Sequence, residues 1–140
     1  MRLASAAIVG ILLAGCSFTA SPRQFGPLGP VSQIDVWIHQ RDGSSDIFKI
    51  SDPKDIATIV TFVDRRSGSW ETPWYGIPVP IIEAKLFDGT KPVASFGVGK
   101  DFFACQRDGV FVSRPATGAE IQEFLKWIDV DEESFKRLTP

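Results

Sequence analysis

Cys105 and His39, the only histidine of this 140-residue chain, have the types needed for a thiol nucleophile and its base. A thiol attacks as its thiolate, and an imidazole within hydrogen-bond reach takes up the proton. The pair is therefore a candidate thiol centre if the fold makes their strands neighbours. The surroundings favour a plainer reading. Cys105 ends the apolar run Phe102-Phe103-Ala104-Cys105, and free cysteine is among the most buried residue types. A lone histidine excludes a multi-histidine metal site. The Asp-Gly pairs at Asp42, Asp88 and Asp108 lack the spacing of a calcium loop and read as turns. The acidic group Asp129, Asp131, Glu132 and Glu133 has no ligand spacing and reads as a solvated helix end. No G-x-S-x-G, H-E-x-x-H or phosphate-binding glycine loop occurs. No cofactor or metal is expected, and a small thiol-dependent enzyme or hydrolase using Cys105 and His39 is the alternative rather than the main reading.

A different chemistry is suggested by the segment Ser69-Trp70-Glu71-Thr72-Pro73-Trp74-Tyr75-Gly76-Ile77-Pro78-Val79-Pro80. Trp70, Trp74 and Tyr75 lie within six residues, and such side chains are enriched where proteins recognise partners. Pro73, Pro78 and Pro80 stiffen the segment, which lowers the ordering cost of binding. The competing reading is that the aromatics fold back as core, with Trp70, nearer a helix end, more suited to that role than Trp74. Strand parity supplies a second candidate surface, Asp35, Trp37, His39, Lys49, Glu83 and Lys85, if helices cover the other face of the sheet.

The N-terminus carries a single positive charge, Arg2, followed by the uncharged stretch Leu3 to Ala14. At 1.5 Å per residue that stretch makes only ~18 Å of helix, too short for a bilayer core, so it reads as a secretion signal. Leu13-Ala14-Gly15-Cys16 closes it and resembles the lipobox of bacterial lipoproteins. The resemblance implies that residues 1–15 are removed and that Cys16 carries two or three acyl chains, palmitate among them. One chain anchors only marginally at about 0.8 kcal/mol per buried methylene; several hold the protein on the membrane. In that family an Asp after the lipidated Cys favours the inner membrane. Here the residue is Ser17, which implies the outer membrane, facing the periplasm.

Removal of residues 1–15 takes only Arg2 from 15 basic residues, leaving 14 against 17 acidic, a net charge of −3. With no basic run or stripe, nucleic acid is not an expected partner; an envelope protein or peptidoglycan is. Apart from Cys16 the only cysteine is Cys105, so no internal disulfide forms and stability must come from packing. Residues 16–30 comprise the lipidated Cys and a flexible Ser/Pro/Gly-rich tether, and 31–140 form a single domain.

Within that domain, Ile34, Val36 and Ile38 alternate with Asp35, Trp37 and His39 as a half-buried strand does. Asp46–Ile50 returns after the Asp42-Gly43 turn. Asp52-Pro53 starts a helix, Asp52 as cap and Pro53 in the first turn; Ile56, Ile59, Val60 and Val63 line one face, and Gly68 is expected to end it. Strands recur at Ile81–Phe87, Pro92–Val98, Phe102–Gln106 and Val110–Arg114. Thr117 and Glu120 have capping-box spacing ahead of a helix with Ile121, Phe124, Leu125 and Ile128 on one side. The expected fold is α+β, a mostly antiparallel sheet with two helices on one face and the order ββαββββα. The expected role is that of a membrane-anchored envelope protein with a non-catalytic binding domain.

Overall fold

Alternation in Gln33–His39 (β1) buries Ile34 and Val36 on one side of the strand and leaves Asp35 and Trp37 on the other. Ile82, Ala84 and Leu86 repeat that alternation in Ile82–Asp88 (β3), in a computed structural model that describes residues 21–139. The expected signal, the lipobox and Cys16 lie outside the described residues. The elements are β1, β2 (Ser45–Ile50), α1 (Pro53–Asp64), β3 (Ile82–Asp88), β4 (Lys91–Val98), β5 (Phe102–Arg107), β6 (Val110–Pro115), α2 (Gly118–Trp127) and α3 (Glu132–Leu138). The sheet is antiparallel throughout, in the spatial order β2-β1-β3-β4-β5-β6. The α+β class and the antiparallel sheet are as expected. None of the described helices is long and apolar enough to cross a membrane.

Local sequence explains the joints. Asp52 accepts from the Lys54 N–H at 2.8 Å and caps α1, with Pro53 in the first turn where its missing N–H costs nothing. Thr117 and Glu120 close both halves of their capping box on α2. Asp108 and Gly109 both adopt positive φ, 53° and 73°, in the β5–β6 turn, the conformation that Asp and Gly tolerate in two-residue hairpins.

One face of the sheet receives the helices. Phe62 of α1, Phe96 of β4, Phe103 of β5 and Phe124 of α2 are all fully buried, with ring centroids 5.0–6.4 Å apart. Each such side chain contributes about 1.5–3 kcal/mol on burial, which is how a domain without a disulfide holds together.

Three expectations need correction. Among the described residues there are three helices, not two, and the order is ββαββββαα: α3 is seven residues long, too short to display a period, and is held by the Asp131 cap on Ser134 and by buried Phe135. The first helix ends at Asp64, before Gly68, and the chain reverses at Ser69, whose φ is 65°. The second half of the expected tether is docked on the domain. Arg23 N–H donates to Trp70 O at 2.6 Å, Phe25 N–H to Ser67 O at 2.8 Å, and Leu28 N–H to Asp64 Oδ1 at 2.8 Å, while Arg107 donates to the Gly26 and Pro27 carbonyls. A Gly/Pro-rich segment has no period to read, yet Phe25 and Leu28 supply apolar anchors that pack on the core.

Candidate functional site

The connection from α1 to β3 passes round the β6 edge of the sheet and carries the most exposed large apolar side chains among the described residues. Its first part is pinned. Trp70 pairs with Arg23 on one side, and the next residue, Glu71, exchanges two 2.9 Å backbone hydrogen bonds with Ser113 of β6 on the other. Alternation between these bridges turns the Trp70 side chain inward, where its indole N–H donates to Arg66 O at 2.5 Å and its ring meets Phe96 edge-on at 6.0 Å. The last part is pinned as well: Ile81 N–H donates to Val98 O and His39 N–H to Ile81 O, at 2.8 and 2.9 Å.

Between the two clamps the segment crosses the face of the sheet opposite the helices. Gly97, Ala104 and Ser113 lie side by side in the register of β4, β5 and β6 and are buried, although they point away from the helices. This row of small residues is the seat of the segment. A Cβ on Gly97 would come within 2.6 Å of the Pro80 side chain, so only glycine allows the approach. Pro73, Pro78 and Pro80 are half-buried, whereas Trp74, Tyr75, Ile77 and Val79 are 92%, 65%, 68% and 77% exposed. From Ile77 to Pro80 the extended alternation puts prolines inward and aliphatic side chains outward. Trp74 and Tyr75 meet edge-on, centroids 5.7 Å apart, beside a hollow bounded by Phe102, Ser113 and Pro115.

No family model matches the chain, and the curated proteins and solved structures compared with it show no match either.

The candidate residues separate into three places. Trp70, a candidate for binding from its sequence, is core, 1% exposed, because the two flanking bridges rotate it inward. Trp37 and His39 are half-buried on the open face, as strand parity predicts, with Asp35, Lys49, Glu83 and Lys85 on the same face. The Lys85 ammonium stands 4.1 Å from the centre of the Trp37 ring, and His39 Nδ1 is 2.9 Å from Ser45 Oγ on β2. Trp74 and Tyr75, on the β5–β6 side, are not gathered with them.

Cys105 and His39 are not brought together. They project from opposite faces of the sheet, and β3 and β4 separate their strands. Burial pushes the Cys105 thiol up to about 11, the wrong direction for a nucleophile. Among the described residues no group of three His, Cys, Asp or Glu side chains has metal-binding proximity. Asp131 caps α3, and Glu132 pairs with Lys136 at 3.0 Å. A hollow of about 690 Å³ between the β1–β2 turn and α3 is lined by Arg41, Asp46, Ser134 and Arg137, and contains neither Cys105 nor His39; its Ser134 hydroxyl is held by the Asp131 cap at 2.6 Å.

The charged side chains that are partly withdrawn from water serve packing. Arg66 lies over the Phe62 ring at 3.4 Å and pairs with Glu120 and Glu123 at 3.4 and 3.5 Å, joining α1 to α2. Burial lowers the Arg66 pKa, opposed by the two glutamates. For Glu120 burial acts upward, but the Thr117 N–H, Arg114 and Arg66 together outweigh it and hold the carboxyl below the usual 4.5. The sequence signals that were open to notice were Gly97 inside a strand, a mark of close approach, and the outward-inward alternation after Gly76.

Proposed function

We propose that the protein is a lipid-anchored envelope protein, outer-membrane and periplasm-facing, whose domain is non-catalytic and binds through the Trp74–Val79 segment. The observation that supports this most is the run of four exposed apolar side chains on a backbone clamped at both ends and stiffened by prolines. Such a run is costly to leave in water unless it has an occupant. Rigidity lowers the entropy lost on contact, and large aromatic side chains supply most of the contact energy at recognition surfaces. The lipobox tetrapeptide at Cys16 is the support for the anchor, and Ser17 for its membrane.

Two experiments test the reading. Metabolic labelling with a fatty-acid analogue is expected to mark the wild-type chain and not Cys16→Ala; label persisting on Cys16→Ala removes the anchor. A photo-reactive phenylalanine analogue at Tyr75 is expected to give a covalent adduct in intact cells, and the same analogue at Lys54, on the far helix, none. No adduct at Tyr75 ends the binding role of the segment.

A further inference from the structure

We infer that the occupant of the Trp74–Val79 segment is the lipid bilayer surface itself, so that the domain rests on the membrane by an apolar foot beside its covalent anchor. This rests on the proposed acylation of Cys16 and names the partner of the same segment.

The first observation is where the chain outside the described residues begins. Arg23 is bridged to Trp70 in the antiparallel sense, so the described chain before it, Pro22 and Ser21, runs in the direction in which Trp70 leads to Glu71 and Thr72. The described chain therefore begins on the flank from which the exposed segment starts. Six residues separate Cys16 from Arg23, so the two are at most ~25 Å apart even in fully extended chain. A tether this short, tied down at Arg23, holds that flank within ~25 Å of the acylated residue, close enough for the exposed segment to reach the same surface.

The second observation is the chemistry of the segment. Thr72 to Ile82 contains no charged residue, and its outward side chains are Trp74, Tyr75, Ile77 and Val79. Polar side chains that could meet a sugar's hydroxyl groups gather at one end only, where Glu71, Asp101 and Arg114 line the hollow beside Trp74 and Tyr75; farther along, the outward Ile77 and Val79 are aliphatic and offer none. Trp and Tyr with aliphatic neighbours are the residues that settle where apolar chains meet headgroups, the ring in the apolar layer and the N–H or O–H in the wet one. The partner is not recruited by charge, since the mature chain carries a net −3 and the segment carries none.

The test uses the processed, full-length lipoprotein in vesicles of phosphatidylethanolamine and phosphatidylglycerol with brominated acyl chains. The emission of Trp74 is obtained as the difference between wild type and Trp74→Phe, whose equal melting temperature checks that the fold is kept. The expected result is a blue-shifted Trp74 signal, quenched by the brominated chains, shielded from acrylamide and unchanged by added salt. Trp74 that acrylamide still reaches, on protein whose mass shows acylated Cys16, overturns the bilayer contact while leaving the anchor standing. Unmodified Cys16 on membrane-derived protein overturns the anchor, and this proposal with it. Shielding that appears only after envelope proteins are added overturns the bilayer in favour of a protein partner, as does shielding that salt abolishes.

Discussion

Trp70 and Trp74 are the same residue type, four positions apart on one connection, yet one is 1% exposed and the other 92%. Neither hydrophobicity nor the local frequency of proline separates them. The difference lies in what holds the backbone. Trp70 sits between two β-bridges, to Arg23 and, through Glu71, to Ser113, and the alternation they impose aims it at Phe96. Trp74 follows Pro73, past the last of those bridges, where the chain has left the β6 edge. A pair of backbone bridges is enough to divide a single aromatic segment into core and surface.

The comparison is broken most directly at Trp70. Trp70→Ala is expected to destabilise the domain by roughly 3–5 kcal/mol, since it leaves a cavity beside Phe96 and the Arg66 carbonyl without its donor; chemical denaturation measures it. A loss below 1 kcal/mol, in the range of surface substitutions, would mean the two tryptophans are equivalent after all.

Gly97→Val addresses the seat of the segment. With Pro80 already 2.6 Å from the position of the new Cβ, the expected cost is about 1–3 kcal/mol, together with faster proteolysis between Thr72 and Pro80 as the segment lifts. Unaltered stability and proteolysis would show that the segment does not depend on this contact.

Glu120 sharpens the Trp70 side. Its partner Arg114, at 3.6 Å, also donates to Gly68 O and lies near the Trp70 ring, and its partner Arg66 supplies the carbonyl that Trp70 bonds. Because the folded carboxyl is held below 4.5, its contribution is complete above the unfolded value and is lost as pH falls through the folded one. Glu120→Gln is therefore expected to cost roughly 1 kcal/mol near neutrality and progressively less below pH 4.5. A difference between the two proteins that grows on acidification would contradict the assignment.

The smallest effect is expected at the exposed end. Trp74→Ser should change stability by no more than about 0.5 kcal/mol in thermal unfolding while removing the segment's contact with its partner. A drop comparable with that of Trp70→Ala would place Trp74 in the core.

Much of the frame was legible in the residues. Alternation in β1 named Ile34 and Val36 as inward and Asp35 and Trp37 as outward, Asp52-Pro53 and Thr117–Glu120 marked two helix starts, and Asp108-Gly109 marked a hairpin. These are interactions over one to four positions, so the sequence by itself determines them. The tertiary structure decided the rest: that Arg23–Leu28 docks rather than hangs free, that Asp131–Thr139 closes as a helix over Phe135, that Cys105 and His39 face opposite ways, and that Trp70 goes in while Trp74 stays out. The docking of Leu28 and the inward turn of Trp70 depend on partners far along the chain, Asp64 for the one and, through Glu71, Ser113 for the other. Burial is a property of two surfaces that meet, and a local pattern specifies only one of them.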